Sequence, residues 1–192
     1  MTTIGITGGI GSGKSMVSAL LRVYGVPVYD ADRESKRLLV TSPTIRRGLI
    51  SLLGPDIYRP DGTLDRARMA SLIFADADLL ARVNAIIHPA VGDDFEAWRA
   101  RLGASACAME AALLFASGFA LRTAVRLTVY APEAIRLQRV MARDGAAEAD
   151  VRRRMQSQWT DERKAALSDA VITNDGLSAL IPQVEAFLNR WL

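Results

Sequence analysis

The sequence predicts an α/β fold, a five-stranded parallel sheet flanked by helices, carrying a helical insertion and a lid. Three observations support this. Short apolar runs recur along the chain, and most are followed by segments of helical period, the alternation that builds parallel sheets. The first run enters a glycine-rich bend and then a helix, and the stretch 35–103 shows helical spacing with no strand-like alternation.

The first element holds the chemistry. Ile4 to Ser15 reads IGITGGIGSGKS, in which Gly8, four residues and then Gly13-Lys14-Ser15 form the phosphate-binding loop pattern between a strand and a helix. Glycines here let successive N–H groups turn inward around an anion, and the start of the helix adds unpaired donors and a positive dipole end. Lys14 is placed to reach β- and γ-phosphates, and the Ser15 hydroxyl suits Mg²⁺. Gly9, Gly11, Ser12, Gly13, Lys14, Ser15 and Met16 are therefore the candidate nucleotide-phosphate cradle, and the expected fold is that of a P-loop NTP hydrolase.

Val17, Leu20 and Leu21 continue the helix, which Gly25 stops. Val26–Tyr29 is the second strand and ends in Asp30-Ala31-Asp32. Ligands of open parallel sheets bind beyond the carboxyl ends of strands, so these acids are candidates to orient a hydroxyl, accept its proton or hold Mg²⁺ through water. Either could instead cap the next helix.

Residues 35–103 form the expected helical insertion, where a kinase would hold its phosphoryl acceptor. Leu49, Leu52 and Leu53 mark one apolar face, Met69, Leu72, Ile73 and Phe74 another, and Leu79, Leu80, Val83, Ile86 and Ile87 a third. His88, the single histidine, precedes Pro89, which reads as a helix-initiating proline. With no second His or paired Cys at ligand spacing, it is no metal site.

Ser105–Glu110 and Val125–Tyr130 read as strands three and four. Pro132 then opens a helix carrying Arg136, Arg139 and Arg143 along one side and ending at Gly145. Residues 143–163 are rich in charge and poor in large apolar side chains, as suits a lid closing over triphosphate, with arginine forks for phosphate oxygens. Ala170–Thr173 is the final strand, and the closing helix presents Leu177, Leu180, Ile181, Val184, Leu188 and Trp191 on one face, an arrangement that Pro182 fits only if it falls in about the first turn.

Composition limits the alternatives. At 192 residues the chain suits one domain, and the absence of a long apolar run or N-terminal signal pattern leads to the expectation of a cytoplasmic protein with no membrane partner. Cys107, among Ala106, Ala108 and Met109, reads as a buried strand thiol. A net charge of +3 spread over interspersed acids and bases, without interleaved aromatics, argues against a nucleic-acid partner and is equally explained by an anionic small molecule.

Together these segments resemble the dephospho-CoA kinase family over nearly the whole chain. The resemblance rests on TGGIGSGKS, Tyr29-Asp30-Ala31-Asp32, Gly62-Thr63-Leu64-Asp65-Arg66, Phe74, Asn84-Ala85-Ile86-Ile87-His88-Pro89, Arg139, Arg143-Asp144, Arg154, Gln158, Lys164, Asp169, Val171-Ile172 and Asn174. It implies ATP-dependent phosphorylation of the ribose 3′-hydroxyl of dephospho-CoA, the last step of coenzyme A biosynthesis. Lys14 and Ser15 would handle ATP and Mg²⁺, and Asp32 would position or deprotonate the hydroxyl. Arg139 and Arg143 would serve the adenine and phosphate side of the lid, and Asp30 and His88 the substrate side. Ala112-Leu113-Leu114-Phe115-Ala116 departs from the family's Pro-Leu-Leu-Phe-Glu, and Met16 stands where a threonine is usual. Glu110 is a candidate to supply the missing carboxylate. Another small-molecule kinase of nucleoside monophosphate kinase type is the enzymatic alternative. A GTPase switch is disfavoured because no Asn-Lys-x-Asp motif is present, and a motor ATPase because no strand ends in an acidic pair of the required kind.

Overall fold

Thr2–Thr7 forms β1, the middle strand of a five-stranded, wholly parallel sheet. On one side it pairs with β3 (Ala106–Glu110), which pairs in turn with β2 (Val28–Asp30). On the other it pairs with β4 (Val125–Tyr130), followed by β5 (Ala170–Thr173) at the edge. The computed structural model of the chain describes residues 1–74 and 76–192, the side chain of Phe74 excepted. In the order β2-β3-β1-β4-β5 the connection from β1 steps toward β2 and the one from β3 crosses to β4. The loop after β1 therefore lies at the point where the connections change direction, the usual ligand edge of such sheets.

β2 begins at Val28 rather than Val26. Pro27 has no N–H to donate, although its carbonyl accepts from Ala108 N at 2.8 Å. Asp30 closes the strand in register with Glu110.

Helix α1 (Lys14–Val23) buries Val17, Ser18 and Leu21. At the other end of the chain, α9 (Leu180–Trp191) packs against α1 and β5 and buries Val184 and Phe187. Two residues assigned to that face from sequence are instead exposed, Leu177 and Ile181. Leu177 precedes the helix, in a turn where Asp175 accepts from the backbone N–H groups of Leu177 and Ser178, and Phe187 takes the core position at helical spacing. The core proper joins Ile4, Ile6, Leu21, Ala108, Leu127, Val129, Ile172, Val184 and Phe187.

The chain divides into two compact units, residues 1–30 with 102–192, and residues 31–101. The second unit is helical. It contains α2 (Ala31–Thr41), α3 (Pro43–Leu53), α4 (Arg66–Phe74) and α5 (Ala77–Arg99). Ser42 caps α3 by accepting from Ile45 N at 3.3 Å, with Pro43 in the first turn, and Asp76 caps α5 by accepting from Leu79 N at 2.9 Å. Their shared core includes Leu38, Leu39, Ile45, Leu49, Val83, Ile87, Val91 and Phe95. The predicted faces are narrower than expected: Leu72 and Leu80 are exposed, and the Phe74 side chain lies outside the described residues.

Pro89 does not initiate a helix but sits inside α5. The Asp76 cap starts the helix upstream, and burial of Val83, Ile87 and Val91 on either side of the proline offsets its missing N–H bond.

In the first unit, α6 (Glu133–Asp144) ends at Gly145. It packs with α7 (Glu148–Gln156) through a small core of Leu137, Val140 and Val151, edged by Ile10, Met141 and Met155. A short α8 (Asp161–Ala166) follows, its first turn capped by Thr160, whose hydroxyl accepts from Arg163 N at 3.2 Å.

Candidate active site

Residues 8–13 join the end of β1 to the start of α1, and their conformation follows from their glycines. Gly13 has φ 93°, a left-handed geometry that L side chains strain to adopt, and it forms the N-terminal boundary of α1 with no side-chain cap. With no side chain capping it, the start of α1 turns the positive end of its dipole toward the loop, while the N–H groups of Met16 and Val17 already bond Gly13 O at 3.0 and 3.3 Å. Ser12 N–H bonds Gly9 O at 3.1 Å, and the Lys14 ammonium folds back across the loop to donate to the carbonyls of Gly8 at 3.0 Å and Gly9 at 3.4 Å. Ser12 Oγ is buried without a hydrogen-bond partner. An uncapped helix start, an orphaned hydroxyl and an ammonium laid over the loop fit a polyphosphate ligand. Ser15 and Met16 are exposed in the first turn of α1.

Two side-chain networks wall the loop. In the first, Asn174, just after β5, donates from Nδ2 to Ser12 O at 2.8 Å. Arg139, on α6, donates to Asn174 O at 3.0 Å and to its Oδ1 at 3.4 Å. A Cβ on Gly13 would lie 2.1 Å from Asn174 Nδ2.

The second network is more deeply buried. Asp161, 2% exposed, contacts Lys164 Nζ at 3.3 Å and Arg136 Nε at 3.2 Å. Burial pushes the Lys164 ammonium below its ordinary pKa, and Asp161 opposes that shift. The Arg136–Asp161 pair rests directly on the loop, since a Cβ on Gly9 would lie 2.5 Å from Arg136 Nη1 and 2.7 Å from Asp161 Oδ1. A cavity of about 360 Å³ opens beside it, lined in part by Gly9, Arg136, Gln158, Trp159 and Asp161.

Other predicted residues take distinct places. Asp30 and Glu110 stand side by side at the carboxyl ends of β2 and β3. Asp32 is exposed in the first turn of α2, within the helical unit, and His88 is partly buried in the middle of α5. Arg143 is two turns beyond Arg136 on α6 and is paired with Asp144 at 2.7 Å. That carboxylate is held well below its usual range by Arg143 first and Arg154 second. Ala116, at the position of the expected glutamate, lines a cavity of about 80 Å³ with Thr7, Trp159 and Lys164. Among the described residues no group of three or more His, Cys, Asp or Glu side chains could hold a metal.

The dephospho-CoA kinase family model matches residues 2–179. The chain belongs to the dephospho-CoA kinase family. It is 48% identical over 185 residues to dephospho-CoA kinase of Porphyromonas gingivalis, covering 96% of this chain and 91% of that one. The fold superposes on a Thermus thermophilus crystal structure with TM-score 0.87 and 35% identity, covering 100% and 98% of the two chains. Dephospho-CoA kinase from Campylobacter jejuni shares the fold at TM-score 0.69 and 18% identity, covering 98% and 96%. No helix among the described residues is long and apolar enough to cross a membrane.

Sequence reasoning singled out neither Asp161 nor the Asn174–Ser12 bridge beside the loop. Asp161 lies in the charged stretch 143–163, which reads as a lid with arginines, not acids, as its phosphate ligands. The one available signal was its i,i+3 spacing from Lys164 behind the Thr160 cap.

Proposed function

We propose that this kinase uses ATP and Mg²⁺ to phosphorylate the ribose 3′-hydroxyl of dephospho-CoA, giving coenzyme A and ADP. The observation that carries this reading is the loop at Gly8–Ser15, with its uncapped helix start and orphaned Ser12 hydroxyl, in a chain of this family. Mg²⁺ would supply positive charge against the phosphates during the transfer. The backbone N–H groups of the loop and the Lys14 ammonium bind and orient the β- and γ-phosphates, and the Ser15 hydroxyl would hold the metal. Arg139, fixed by Asn174, stands on the nucleotide side. The resemblance is what assigns Arg143 to the phosphates, in a lid spanning residues 143–163.

The helical unit, which carries His88, holds the acceptor, and the resemblance is what assigns Asp30 and His88 to the substrate. Asp32 positions the 3′-hydroxyl or takes its proton. Asp32→Asn is expected to lower turnover by roughly 100-fold or more while leaving ATP affinity within a few-fold. Titration calorimetry with ATP beside initial-rate measurements checks this, and equal loss of both would remove the assigned role.

The function is tested by coupled ADP release with Mg²⁺-ATP, comparing dephospho-CoA, AMP, adenosine and no acceptor. ADP formation dependent on dephospho-CoA, with coenzyme A as product, is expected. Tight ATP binding with turnover only on AMP would reassign the acceptor.

A further inference from the structure

The cluster of Arg136, Asp161 and Lys164 lies beside the phosphate loop, yet the roles above do not use it. A bare carboxylate next to an anion cradle would repel polyphosphate. Here its charge is spent on two cations, leaving a net +1 from Arg136 and Lys164 against Asp161. Lys164 and Asp161 are 3% and 2% exposed and Arg136 is 12% exposed, so the cluster is largely removed from solvent screening.

The geometry divides the work among the three. Arg136 Nε donates to Ala131 O at 3.0 Å. Its approach to Asp161 Oδ2 at 3.2 Å is therefore a charge contact without an aligned donor, and Oδ2 is buried with no hydrogen-bond partner. Asp161 Oδ1 accepts from Lys164 Nζ at 3.3 Å. Nη1 of Arg136 is left against the backbone of Gly9, where only a residue without Cβ allows it to rest. The adjoining cavity also contains Glu133 and Glu162, carboxylates able to draw a free guanidinium away from the loop.

We propose that Asp161 is a positioning residue for phosphoryl transfer: it clamps Arg136 on one side and Lys164 on the other, and so fixes the Arg136 guanidinium on Gly9 to face the phosphates of ATP. This rests on the reading of the loop as the ATP site. Arg136 contributes a planar fork for phosphate oxygens, and Lys164 neutralises the clamp.

Kinetics and ATP calorimetry on wild type, Arg136→Gln, Asp161→Asn and the double variant provide the test, with thermal melting to follow folding. Asp161→Asn is expected to lower kcat by about 100-fold, the cost of a misplaced group, with KM for dephospho-CoA within about twofold. The double variant should be no worse than Arg136→Gln alone, because once the guanidinium is gone there is nothing to position. Losses that multiply, or an Arg136→Gln enzyme with wild-type kcat, would overturn the proposal. Should Asp161→Asn fail to fold with Lys164 left unpaired, Arg136→Lys decides: a Lys ammonium cannot reach both Asp161 and Gly9, so kcat should fall at least about tenfold, and an unchanged kcat refutes the role. A wild-type protein that neither binds ATP nor turns over dephospho-CoA would defeat the underlying site reading as well. Normal ATP binding and turnover with an unaffected Asp161→Asn would defeat this inference alone.

Discussion

Gly13 combines φ 93° with a side-chain neighbour 2.1 Å from where a Cβ would stand. Alanine there must strain the backbone and push away Asn174, the residue that ties Ser12 to Arg139. Gly13→Ala is expected to cost about 1–3 kcal/mol, a fall in Tm of roughly 3–10 °C by scanning calorimetry. His88 gives a pH signature. Burial lowers its pKa below the ordinary 6.5, so between the two values the unfolded chain binds more protons than the folded one. Its contribution is then fully present above pH 6.5 and is lost as pH falls through the folded value. Tm should drop between pH 7 and 5, and His88→Gln should flatten that part of the profile.

Helix α7 is held by few apolar contacts, chiefly Val151 against Leu137 and Val140, while its arginines pair with nearby acids. Arg152 reaches Glu148 and Glu133, Arg153 reaches Asp150 and Arg154 reaches Asp144. Exposed pairs of this kind add little each, so the small core decides the stability of the element. Val151→Ala removes two buried carbons, at roughly 1.5–3 kcal/mol, from that cluster alone. Amide exchange should accelerate across 148–156 while β1 and β4 keep wild-type protection. Uniform acceleration would mean that α7 is part of the sheet's cooperative unit. At α5 the lesson is about legibility: Pro89 reads locally as a helix start, yet the Asp76 cap and the burial of Val83 through Phe95 carry the helix through it.

For the molecule as a whole, a ligand that binds only the folded state adds stability by mass action. Mg²⁺-ATP at about 100 times its Kd should add about 2.7 kcal/mol, a rise in Tm on the order of 5–10 °C for a chain of this size. Lys14→Met should abolish most of that rise, while Tm in the absence of nucleotide falls by only a few degrees for the lost bonds to Gly8 and Gly9. An undiminished rise in the variant would place the nucleotide away from the loop.

The sequence by itself determined the phosphate loop, the strand segments and their parallel class, because these depend on local chemistry: glycine freedom, apolar runs and the spacing of Gly8, Gly13, Lys14 and Ser15. It also carried the family, through motifs spread along the chain. What surrounds the loop was decided only by the tertiary structure. Arg136 and Asp161 are separated by α7 and its flanking turns, and Asn174 lies far in sequence from Ser12, yet the topology brings each pair together. Their sequence neighbours read as a helix and a charged lid around Arg136 and Asp161 and as a strand end before Asn174, and none of these patterns names the partner. Burial, which turns such a charge into an obligate partner, depends on what packs around it and leaves no local pattern in the chain.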